Sequence, residues 1–254
     1  MKIYFDGCSW TCGEELENRE EQRYSRLIAN DLGAKERNFS TSGASNDRMV
    51  RNLMVENDIE KYDLAVIQMT FPARTEYYSG VEYDKDVHPS GWINVNPKYK
   101  FSYFLHLRKA IGVKWADMST KDSLSKPEEH EVYKNLHEKF HYDKRFWKEY
   151  YKVVTTEKFF NTKENIHKQT IENYCKIKGV PLILCSINSW TKLNFDYMMN
   201  TTHPSKRKDL NKPILDRNLV HRYGHPTKEG HRMIADHLMG CLLYTSPSPR
   251  DSLS

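Results

Sequence analysis

The chain has no apolar run near the ~18–20 residues a transmembrane helix needs, so no membrane span is expected. It also lacks a basic opening followed by an apolar core. Asp6 and Glu14 stand where a secretory signal would be apolar, so a cytoplasmic location is expected. The five cysteines, Cys8, Cys12, Cys175, Cys185 and Cys241, show no CxxC or other zinc spacing. In a reducing compartment they are expected to be free thiols. His203 and His221 also stand at no ligand spacing and read as surface-loop residues, so no metal is expected. The excess of 39 Lys+Arg over 34 Asp+Glu is only +5, and no Lys/Arg block resembles a nucleic-acid arm. There is no internal repeat. These absences leave a 254-residue chain long enough for a substantial core. Its 16 tyrosines suit an aromatic-lined surface or groove.

The apolar pattern places strands at residues 2–6, 34–39, 63–69 and 180–186. Helices are expected over 15–32, from Ser45 or Asn46 toward Ile59, over about 146–178 with a break near Thr155–Thr156, and over 226–240. Strands alternating with helices imply a parallel sheet between helical layers, a three-layer α/β/α architecture. Between strands three and four, residues 74–145 are rich in Tyr, Trp, His and Lys and have no clear period. They read as a large insertion, helical in parts near 100–111 and 127–140. Residues 187–224 form a second long loop. Loops of this length are usually functional or disordered.

Ser9 follows the first strand within Gly7-Cys8-Ser9-Trp10-Thr11-Cys12-Gly13. Gly43 follows the second strand, Gln68-Met69-Thr70 ends the third, and His225 precedes the last helix. Loops after parallel strands share one crevice, so residues more than 200 apart in sequence can meet there. A serine hydroxyl needs a base to take its proton and N–H donors to hold an oxyanion. Arg74, in the loop after strand three, is a candidate for anchoring substrate or site. His231 reads as a helix residue facing the sheet, and Cys8 and Cys12 as small packing residues. Tyr77, Tyr78 and the aromatics of 99–103 read as packing more readily than as a sugar platform.

Over residues 1–240 the order and spacing of these groups resemble the SGNH (GDSL-type) hydrolase family, a flavodoxin-like fold. Gly7-Cys8-Ser9 with Gly13 fits its first block, Gly43 its second, and His225-Pro226 with Gly230-His231 its last. The resemblance implies a serine esterase or acylhydrolase on small-molecule or carbohydrate esters, needing no cofactor. Ser9 would be the nucleophile and His225 the general base. The N–H groups of Ser9 and Gly43 would form the oxyanion hole. Three positions depart from the family. Cys8 stands for its Asp, Thr70 for its oxyanion-hole Asn, and Arg222 for the Asp three before the histidine. Thr70 or Gln68 is then the candidate replacement donor. Asp216 is the candidate third catalytic member, with a backbone carbonyl and a Ser-His dyad as the alternative. A degenerate binding or assembly module, and an acyltransferase, remain alternative outcomes of the same pattern.

Cys241 to Asp251 match, residue for residue, one reading frame of a common transposase sequencing adapter. Residues 241–254 are therefore expected to be an artefactual tail on an environmental shotgun sequence.

Overall fold

The structure is a computed structural model that describes residues 1–78, 92–95, 157–187, 197–198 and 225–245. The chain divides into two units, Met1–Pro72 with Asn161–Ser254, and Ala73–Phe160.

The first unit is built on a five-stranded sheet. Strands β1 (Lys2–Asp6), β2 (Lys35–Asn38) and β3 (Leu64–Met69) come first. Two strands of the second unit, β4 (Thr75–Tyr78) and β5 (Trp92–Val95), pair antiparallel with Thr75 opposite Val95. Strands β6 (Leu182–Ser186) and β7 (Tyr197–Met198) complete the large sheet, in the order β2-β1-β3-β6-β7. Every pairing in it is parallel. Counted among its own strands, this is the 2-1-3-4-5 order of one doubly wound α/β class, with the topological switch between β1 and β3. The register sets Asp6 beside Ile67, so the turn after β1 emerges next to the end of β3.

Burial explains the strands. Ile3, Tyr4, Phe5, Ala65, Val66, Ile67 and Cys185 are fully buried, as parallel strands covered on both faces require. Each large apolar side chain so buried contributes about 1.5–3 kcal/mol. Strand β2 is the exception, a charged Lys-Glu-Arg-Asn edge. Its buried Glu36 is satisfied by Arg23 (Nε 2.9 Å, Nη2 3.0 Å), by Arg26 (Nη2 3.0 Å) and by the Ser25 hydroxyl at 2.6 Å. Burial works to raise the Glu36 carboxyl pKa, but these partners outweigh it and hold the group below its usual range.

The same cluster breaks the helix expected over 15–32. The structure has α1 (Ser9–Cys12), α2 (Arg19–Gln22) and α3 (Tyr24–Asp31), with Arg23 extended between the last two at φ −67°, ψ 145°. Arg23 leaves the helical path where its guanidinium joins the buried Glu36. Helix α4 (Asn46–Arg51) is capped by Ser45, whose hydroxyl accepts from Arg48 N at 3.2 Å, and continues as a π turn over Asn52–Glu56. Helix α5 spans Glu157–Ile177 and α6 spans Lys228–Thr245. The last helix runs five residues past the expected end at 240. Leu238, Met239 and the partly buried Leu242 carry its apolar face onward against the core. The regions 100–111, 127–140 and 146–156, expected to be helical wholly or in part, lie outside the described residues. No described helix is long and apolar enough to cross a membrane.

Asp47 joins α4 to α5 through Lys163 Nζ and His167 Nε2, both at 2.9 Å. Burial favours the neutral acid there, but the His167 hydrogen bond and the Lys163 charge prevail and hold the carboxyl at about 2. A carboxylate lowered by folding stabilises fully above its unfolded value and loses that contribution as pH falls through its folded value. Asp47 therefore contributes on the order of 2 kcal/mol at neutral pH, lost between pH 3.8 and about 2. Urea midpoints measured from pH 5 to pH 2 are expected to fall less steeply in Asp47→Asn than in the unaltered chain. Parallel curves would contradict this.

Candidate active site

The turn after β1 is held from below by one side chain. Gln68 is fully buried on β3. Its Oε1 accepts from Cys8 N (3.3 Å), Cys8 Sγ (3.3 Å) and Thr11 Oγ1 (3.0 Å), and its Nε2 donates to Met69 O (2.8 Å). Gln68 is thus bonded into the turn through its amide oxygen and to its own strand through its amide nitrogen. Gly7 permits the close approach. A Cβ there would lie 2.1 Å from Thr11 Oγ1 and 3.1 Å from the Gln68 Cβ.

Ser9 opens the four-residue helix α1 and is 6% exposed. Its Oγ lies 3.8 Å from Cys8 Sγ. Gly13 ends the helix in the left-handed region at φ 77°, returning its N–H to Ser9 O. Glu14 N also donates to Ser9 O, at 2.9 Å. Two residues on, Glu15 has φ 70° and is the one non-glycine with positive φ among the described residues. Cys8 and Cys12 are both buried free thiols.

Cys8 carries no charge into the turn, and the nearest carboxylate on β1 is two residues earlier. Asp6 is fully buried and accepts from Gly7 N (2.8 Å), Asn52 Nδ2 (2.9 Å), Arg48 Nη1 (3.1 Å) and the Tyr4 hydroxyl (3.2 Å). Burial pushes its carboxyl up, against the pull of Arg48. The cluster ties the end of β1 to α4.

Gly43 lies in the loop after β2 at φ 75°. Neither its N–H nor that of Ser9 makes a hydrogen bond among the described residues. Thr70 follows β3 and is fully buried. Asn46 grips its backbone on both sides, accepting from Thr70 N at 2.8 Å and donating to Thr70 O at 3.0 Å. The Thr70 hydroxyl has no hydrogen-bond partner among the described residues. A buried hydroxyl left so costs roughly 1–3 kcal/mol.

His225 stands ahead of α6, whose start is fixed by Thr227 Oγ1 accepting from Gly230 N at 3.2 Å. The helix is anchored by His231. That side chain is fully buried, stacks on Tyr24 at 5.9 Å, and accepts from Tyr24 N at 3.2 Å. This brings the His225 Nδ1 to 2.7 Å from Glu15 Oε2, across 210 residues of sequence. The imidazole is therefore held by Glu15, six residues beyond Ser9. The apolar pattern sets Glu15 at the first position of the helix expected over 15–32, a reading that gives it no role at the site. A carboxylate six residues beyond the serine in the same turn was the only signal for it. Arg74, in the second unit, is 7% exposed. Asp216, Arg222, His203 and His221 lie outside the described residues.

A groove of about 480 Å³, lined by Leu27, Lys228, Arg232, Met233 and neighbours, contains none of these site residues. Among the described residues no three His, Cys, Asp or Glu side chains gather as metal ligands.

No family model matches the chain, and no curated protein matches it. Among solved structures the chain is similar to the psychrotrophic esterase EstA from Pseudoalteromonas sp., at 10% identity over 96% of this chain and 97% of that one, TM-score 0.43. It is also similar to a family two carbohydrate esterase from Clostridium thermocellum solved with cellohexaose, at 14% identity over 94% of this chain and 62% of that one, TM-score 0.41. A third is a variant of the acetyl xylan esterase Axe2 from Geobacillus stearothermophilus, at 12% identity over 95% and 94%, TM-score 0.36. The chain's own strand order makes it an α/β protein with a parallel, doubly wound 2-1-3-4-5 sheet.

Proposed function

We propose that the chain is an SGNH-type serine hydrolase acting on esters, with residues 1–240 forming one such domain and 241–254 an artefactual tail. The observation that supports the reading is the 2.7 Å contact between His225 Nδ1 and Glu15, six residues beyond Ser9. In the proposed reaction Ser9 Oγ attacks the ester carbonyl and its proton passes to His225 Nε2. The N–H groups of Ser9 and Gly43 receive the developing oxyanion, with the Thr70 hydroxyl, which has no partner among the described residues, as third donor. Collapse breaks the bond to the alcohol, which takes the proton from the imidazole. Water, deprotonated by the same His225, then releases the acid and restores Ser9. An O-acyl group on a carbohydrate is the narrower substrate class proposed. An acceptor other than water would make the same steps an acyl transfer.

The full chain is expected to hydrolyse p-nitrophenyl acetate above the buffer rate. Folded protein without turnover on this ester or on acetylated oligosaccharide would sink the hydrolase reading. It would favour a binding module, which the Thr70 and Arg222 replacements suit.

A further inference from the structure

Resting on the hydrolase reading, we propose that Glu15 is the positioning acid of the site. It would be supplied by the turn that carries the nucleophile, not by the position three before the histidine, which is Arg222. Two independent observations support it. The first is the contact itself: Glu15 Oε2 lies 2.7 Å from His225 Nδ1, and both side chains are about one-fifth exposed, at 21% and 19%. A carboxylate there accepts a hydrogen bond from Nδ1–H, which leaves the lone pair on Nε2 free to act as base. Its negative charge also stabilises the imidazolium formed when Nε2 takes the Ser9 proton.

The second observation is the backbone. Glu15 occupies the left-handed region, where a residue with a Cβ is disfavoured and glycine is at home. Gly13 and Glu14 direct their N–H groups to Ser9 O, so the chain turns back on itself within six residues of the nucleophile. Strained non-glycine residues persist where the surroundings over-determine them, and they cluster at functional sites. A residue chosen for the fold alone at this position would be glycine or asparagine. A glutamate there directs its carboxylate to His225, ahead of α6.

Two substitutions separate a positioning role from a structural one. Glu15→Gln keeps the shape and removes the charge. Its kcat on p-nitrophenyl acetate is expected to fall about 10²–10⁴-fold with KM within about threefold, and fluorophosphonate labelling of Ser9 should slow in parallel. Glu15→Gly removes the carboxylate but relieves the backbone. It should lose the same activity while its thermal midpoint stays level or rises. Rescue should come from Glu15→Asp in part and from neither of the others. If the unaltered chain turns over and Glu15→Gln keeps kcat within about fivefold, the positioning role is overturned and the hydrolase reading stands. If the unaltered chain neither turns over nor labels, both fall together.

Discussion

Alanine at position 7 is expected to destabilise the chain by about 3 kcal/mol or more and to abolish activity with it. The added Cβ would sit 2.1 Å from Thr11 Oγ1 and 2.8 Å from Thr11 Cβ, inside any real contact distance. Thr11 cannot swing away freely. Its hydroxyl is bonded to Tyr24 OH at 2.8 Å and to Gln68 Oε1 at 3.0 Å, both buried. Relief must therefore break buried hydrogen bonds or lift the turn from Gln68, which also holds Cys8 N. Gly33→Ala is the control. Gly33 has φ 58° but nothing within 4 Å of an added Cβ, so only the left-handed backbone cost of about 1–2 kcal/mol applies. Urea midpoints of the two variants measure the difference. A Gly7→Ala midpoint equal to that of the unaltered chain would contradict the account of the turn.

Alanine at position 9 is expected to do the opposite, leaving stability nearly unchanged and removing the chemistry. The Ser9 hydroxyl has one long contact, 3.8 Å to Cys8 Sγ, so little packing is lost. Turnover of p-nitrophenyl acetate should fall about 10⁴-fold or more, with a residue of rate left by the oxyanion donors and by binding. Retention within tenfold would point to a different nucleophile. The nearest is Cys8, whose thiol is fully buried and donates to Gln68 Oε1 at 3.3 Å. A Ser9→Ala, Cys8→Ala pair would then lose what the single variant kept.

Strands buried on both faces announced themselves in the sequence. The runs around Ile3–Phe5, Leu64–Met69 and Leu182–Ser186 have no polar face to hide, and their order as parallel strands with helices between them follows. Strand β2 was also placed, within a residue or two, although Lys-Glu-Arg-Asn carries no apolar signal of its own. The two-residue β7 left no periodicity to read. The break at Arg23 was hidden for a different reason. Apolar spacing from Tyr24 to Leu32 is helical, and only the buried Glu36, thirteen residues away, pulls Arg23 out of line.

The positions of Ser9, Gly43, Thr70 and His225 could be listed from spacing, because a parallel sheet brings its carboxyl-end loops to one edge. The residue on the far nitrogen of His225 could not. Glu15 is one of a run of acids, Glu14-Glu15-Leu16-Glu17, and nothing local distinguishes it. What selects it is the left-handed turn at Gly13 and Glu15, together with a contact made across 210 residues. The setting of Gln68 is hidden in the sequence for a similar reason. Its amide suits an oxyanion hole by type, but side chains alternate faces along β3, and this one is consumed beneath Cys8 and Thr11.

The central claim is that Ser9 is a nucleophile activated at its own turn. Its most direct measurement is the site of fluorophosphonate attachment, read by peptide mapping of the folded full-length chain. The account predicts one adduct, on Ser9, that disappears when the protein is unfolded before exposure to the probe. An adduct at another residue, or none on folded protein, would contradict it.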